Sequence, residues 1–146
     1  MRARVLVNIS LFVLVLSFGG QAAPPSGQDS EIGPEVKAYL DFLSHEEAEL
    51  EFQIRNNEIP RKNYVRAKNR IAILRKKVLE LVKERGEDIV PELSVVTISE
   101  VDQLVEDGRR LVRDAQPGAL FADKWRYLGR VSRGEIFYIF ERITRK

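Results

Sequence analysis

The 146-residue chain contains no cysteine. Disulfides, thiolate nucleophiles, iron–sulfur ligation and a lipid-modified N-terminal cysteine are therefore excluded, and the fold must stand on packing alone. Histidine is nearly as scarce: His45 is the only one. A zinc-binding helix starting there would need a second histidine one turn on, and that position is Glu49, so a nitrogen- or sulfur-ligated metal site cannot be assembled. The neighbouring acids Glu46, Glu47 and Glu49 read as a solvated helix face, and neither a metal nor another cofactor is expected. Phosphate-binding glycine loops, serine nucleophile elbows and Cys/His dyads are missing as well. Acids are plentiful, yet only Glu47 sits in an apolar stripe that would single it out for a perturbed pKa.

What is present begins with an export signal. Arg2 and Arg4 supply a basic start, Val5 to Phe18 is an apolar run shorter than the ~20 residues of a membrane span, and Gly19-Gly20 breaks it. Gly20 and Ala22 place small side chains three and one before a cut after Ala22. The expectation is a signal peptide over residues 1–22 and a mature start at Ala23, exported to the periplasm or the extracellular space. The alternative is an uncleaved segment holding the chain at a membrane.

Of the 24 lysines and arginines, Arg2 and Arg4 lie in this segment, and the rest equal the 22 acids in number. The basic pI is thus no argument for nucleic acid, and export argues against it. The charges instead come in blocks. Residues 29–58 carry nine acids against Lys37 and Arg55, and 61–85 carry ten bases against Glu80 and Glu84. Residues 87–107 hold seven acids and no base, and 108–146 hold ten bases and four acids. Adjacent blocks of opposite sign suggest pairing within one molecule.

Residues 23–33 are rich in Pro, Gly and Ser and read as a flexible tether. Pro34 opens a helix of about 34–56, in which Val36, Leu40, Leu43, Leu50 and Ile54 form an apolar stripe interrupted by Glu47. A second helix runs from Pro60 or Arg61 to about Arg85, with Gly86 as its stop. Its seam of Tyr64, Ala67, Ile71, Leu74, Val78 and Leu81 alternates steps of three and four, which is coiled-coil spacing. The short connection makes the pair an antiparallel hairpin, residues 34–86, with an acidic helix beside a basic one.

Leu93 to Ile98 reads as a strand, and Ser99 as the N-cap of one helix carrying Val101, Leu104, Val105, Leu111 and Val112 on a face. Trp125–Val131 and Glu135–Ile143 form a β-hairpin through Ser132-Arg133-Gly134. A three-residue loop would set Gly129 opposite Phe137 and Tyr127 opposite Ile139. The fold class is thus α+β: the helical hairpin, then a small β-α-β-β unit over 93–146 whose helix covers one sheet face.

Three readings follow, from different classes. The favoured one is a non-enzymatic exported interaction or structural module working through the helical hairpin, by a protein partner or by self-association. Apolar positions off the seam (Tyr39, Phe42 and Phe52 on the first helix, Ile73 and Val82 on the second) must pack on the C-terminal unit or on another molecule. The second reading is binding of an anionic envelope ligand by Arg126, Arg130 and Arg142 together with Tyr138 and Phe140. The third is a hydrolase with scattered carboxylates, which requires a cavity gathering at least two acids.

Overall fold

A computed structural model describes residues 32–144; the expected signal peptide and most of the tether lie outside them. The chain is α+β. Helix α1 (Pro34–Arg55) and helix α2 (Arg61–Arg85) precede strand β1 (Leu93–Thr97), short helices α3 (Val101–Leu104) and α4 (Gly108–Asp114), and strands β2 (Leu120–Phe121), β3 (Trp125–Arg133) and β4 (Glu135–Arg142). The sheet is antiparallel throughout, with strand order β1-β4-β3-β2.

The helical hairpin folds as the apolar spacing requires. Val36 and Leu43 of α1 and Ile71, Leu74, Val78 and Leu81 of α2 are buried, while Leu40 and Leu50 pack against them. Gly86 ends α2 in the left-handed region, at φ 66°, and returns its N–H to the Val82 carbonyl. The start of α1 is finished from a distance. No side chain of its own caps it. The Asp88 carboxylate instead accepts the Glu35 and Val36 amides at 3.0 Å each, and Val90 N–H donates to Glu35 Oε1 at 3.1 Å. Gly33 makes room for this clasp, because a Cβ there would lie 2.0 Å from the Asp88 carboxyl carbon.

β4 is the central strand, and both of its faces are covered. Phe137 and Ile139 join Leu93 and Val95 of β1 under α1 and α2, whereas Tyr138 and Phe140 join Tyr127, Phe121, Val101, Val105 and Val112 on the other face. The sheet is thus sandwiched between the long hairpin and the two short helices. Each fully buried large side chain contributes about 1.5–3 kcal/mol, so this apolar burial holds the layers together.

Three sequence expectations are corrected. The single helix after Ser99 is two pieces: Val105 is extended and Asp107 left-handed at φ 56°. The break folds α4 back on α3, so that Val101 lies 2.3 Å from where a Gly108 Cβ would stand and Asp102 accepts the Arg109 amide at 2.9 Å. Ser99 does not cap; its hydroxyl meets Thr97 Oγ1 at 3.0 Å. The sheet also has a fourth strand, β2, which is too short to show a pattern. It enters β3 through Ala122 and Asp123, both at positive φ, with Lys124 N–H on the Phe121 carbonyl, the geometry of a type I′ turn built without the usual glycine.

The hairpin register differs too. Gly129 lies opposite Ile139, and Tyr127 opposite Phe140, with an irregularity at Leu128 and Gly134 alone between the strand ends. The irregularity sends Tyr127 to the short-helix face, where its ring centroid is 5.4 Å from Phe140 and 6.2 Å from Phe121, while Leu128 packs toward the long helices.

Candidate interaction site

The acidic and basic helices meet as their charge blocks imply, in antiparallel order. Glu47 lies 3.3 Å from both Lys68 and Arg75, and Glu51 lies 3.3 Å from Lys68. Burial pushes the Glu47 carboxyl up, but hydrogen bonds from Lys68 and Arg75, with their charges, outweigh it and hold the group below the usual carboxylate range. The acid that breaks the apolar stripe is therefore the seat of two cations at the seam.

The basic helix also grips the sheet. Arg66 reaches Glu135 at 2.7 Å, Arg70 pairs with Glu100, and Arg85 binds Glu141 through two nitrogens at 2.6 and 2.9 Å. These pairs span most of α2, joining it to both ends of β4 and to the turn after β1. Burial raises the Glu100 pKa; the Thr97 amide and hydroxyl and the Arg70 guanidinium lower it by more, so the net shift is downward. Hydrogen bonds from Asn69 to the Arg133 carbonyl, at 2.8 Å, and from Arg66 to Glu135 fix the hairpin tip, which is where the register is decided.

On α1 the expected surface is divided. Tyr39 is half-buried against the core, its ring centroid 6.3 Å from Phe42. Phe42 and Phe52 are 46% and 51% exposed. Ten residues separate these two, about 15 Å along the helix and about 80° around it, so Phe52 stands apart from the Tyr39–Phe42 pair. Ile73 and Val82 are taken up by the core. The exposed residues around Phe42 and Phe52 include Asp41, Glu46, Glu49 and His45, the last donating from Nδ1 to the Asp41 carbonyl at 2.8 Å.

The C-terminal hairpin does not present its arginines and aromatics as one face. Phe140 is fully buried and Tyr138 nearly so, because β4 is covered on both sides. Arg126 lies 3.7 Å from Glu141 and Arg142 lies 3.1 Å from Glu92, while Arg130, opposite Tyr138, is exposed. Sequence reasoning placed the strands, but not the second covered face that withdraws the rings.

A cavity of about 240 Å³ opens between α2 and the hairpin, with Ile73 and Ile139 among its lining and Lys76, Lys77, Glu80 and Arg133 around it. Glu80 is its single acid and is held below the usual carboxylate range, chiefly by a hydrogen bond from Lys77. The hydrolytic reading thus finds no pair of acids in this cavity. Among the described residues no group of three or more His, Cys, Asp or Glu could hold a metal ion, and no helix is long and apolar enough to cross a membrane. Comparison with protein families, with curated proteins and with solved structures finds no match.

Proposed function

We propose that the protein is an exported, non-enzymatic interaction module that acts through its helical hairpin. One observation carries this reading. The stripe of α1 is already satisfied by α2 and the sheet, yet Phe42 and Phe52 remain about half exposed on its outer side. Phe42, left in water beside the half-buried Tyr39 on a helix that has met its packing needs, marks a contact surface, with Phe52 standing apart from it.

The chemistry of that surface narrows the partner. Asp41, Glu46 and Glu49 surround the rings, so two α1 helices set face to face would oppose like charges. A basic, partly apolar partner surface fits instead. A second copy offers one in the exposed arginines of its C-terminal half, which makes self-association head-to-tail and salt-sensitive. Export is supported by the basic-apolar-small pattern of residues 1–22.

Sedimentation velocity of the purified chain across a concentration series, at 50 mM and 500 mM salt, tests the self-association. The expected result is reversible association that weakens with salt and is lost in Phe42→Ser. A strict monomer at every concentration and both salts overturns it.

A further inference from the structure

We infer that the cleft between α2 and the outer edge of β3 receives an extended, acidic segment of a partner protein, added to the sheet as a strand beside residues 128–132. Three observations converge on this cleft.

The first is an open edge. β2 pairs only with Trp125 and Arg126, and its approach extends the ladder to Tyr127 through bonds with Gly118 and Ala119. Past that point β3 pairs with β4 alone, and among the described residues no strand lies on its outer side; at the tip the Arg133 carbonyl is taken by Asn69, so the open main chain ends at Ser132. Such an edge carries main-chain donors and acceptors in the spacing another strand requires.

The second is the cavity beside that edge. Side chains of successive strand residues point to opposite faces, so a cavity lined by Val131, Ser132 and Arg133 together meets the main chain of β3. Its other wall is α2, and the buried Ile73 and Ile139 are part of its lining. A groove between a helix and a sheet edge is the setting in which strand addition gains affinity from the main chain and selectivity from side-chain pockets.

The third is charge. Lys76 is 80% exposed, Lys77 and Arg133 stand on opposite walls, and only Glu80 opposes them. Arg130 and Arg133 make no ion pair among the described residues. Two copies joined edge to edge would bring these arginines together, which disfavours self-pairing and selects an acidic strand. The cleft and the outer face of α1 lie on different elements but both assignments draw on exposed arginines of the C-terminal half, so Phe42→Ser, which alters only the α1 face, is the variant that tells them apart.

The test uses fluorescein-labelled nonapeptides of alternating Glu and Val, followed by anisotropy and by amide shifts of the isotope-labelled chain. The Glu-Val peptide is expected to bind and to move the amides of residues 128–132, while its Lys-Val counterpart does not bind. N-methylation of alternate peptide bonds on the edge that faces β3 is expected to weaken binding at least tenfold. Lys76→Glu with Arg133→Glu, two exposed sites, should weaken it roughly tenfold, and Phe42→Ser should leave it unchanged. No binding at millimolar Glu-Val peptide overturns the inference. Equal binding of the N-methylated peptide also does, since charge alone would then account for it. Dodecanoate moving the same amides where the peptide moves none reassigns the cleft to a small anionic amphiphile.

Discussion

Replacing Glu141 by glutamine removes the charge that joins the long helices to the middle of the sheet while keeping the side chain's shape. Glu141 is 9% exposed, takes two hydrogen bonds from Arg85 at 2.6 and 2.9 Å, and lies 3.7 Å from Arg126. A two-pronged charge-assisted pair of this kind is worth up to about 3 kcal/mol. Arg85 is 39% exposed, and solvent screening of that partner lowers the expected loss to about 2 kcal/mol. For a folded part of this size that is a fall in Tm of about 8 °C. With a urea slope of about 1.5 kcal/mol/M the midpoint falls by roughly 1.3 M. Glu141→Leu should cost less than the loss of charge suggests, because the freed arginines can turn to water while the leucine packs. A double-mutant cycle with Arg85→Met isolates the pair and should return a coupling of about 1 kcal/mol. A loss below about 0.5 kcal/mol in Glu141→Gln, with no coupling, would show that this pair does not join the hairpin to the sheet.

Gly33→Ala drives a Cβ into the Asp88 carboxylate and should uncap α1, costing about 1 kcal/mol; Asp88→Ala should cost the same, and the double mutant no more than either, by chemical denaturation. Ala122 sits at φ 50°, so Ala122→Gly should relieve backbone strain and stabilise by about 0.5–1 kcal/mol despite removing a methyl group. Glu47 and Glu100 both titrate below the ordinary value of 4.5 in the folded chain. Their contribution is present above that value and is lost as the pH falls through their folded values, so thermal stability should drop below about pH 4.5. Arg70→Met should flatten this dependence, and an unchanged slope would exclude the Arg70–Glu100 pair as a source.

The long helices were legible because their apolar positions recur at three and four residues over many turns, and because Gly86 supplies a recognisable stop. The sheet was legible at β1 and in the β3-β4 pair for a related reason: β-branched and aromatic runs bounded by turn residues. The errors arose where distant residues decide local structure. Asp88 caps α1 from 52 residues away, and no short motif announces it. The contacts of Asn69 and Arg66 with the hairpin tip override the register that the turn residues suggest. The split at Asp107 follows from the packing of Gly108 on Val101, which the valine periodicity hid. At the candidate sites the burial of Tyr138 and Phe140 was not legible in the sequence, for a topological reason. Antiparallel placement of β1 beside β4 moved β4 to the interior of the sheet, which buried Tyr138 and Phe140 and left the part of β3 beyond Tyr127 as an exposed edge. The cleft beside that edge joins residues about 60 positions apart, Lys76 and Arg133 among them, and no periodicity within either segment reports such a meeting.

Amide spectra of the isotope-labelled chain, recorded over a concentration series, test whether the outer side of α1 is the surface through which the protein makes contact. The expected result is concentration-dependent shifts at Tyr39, Phe42 and their neighbours on α1, matched by shifts at exposed arginines of the C-terminal half, with the α2 seam unmoved. Shifts confined to β3, or spectra independent of concentration, would contradict it.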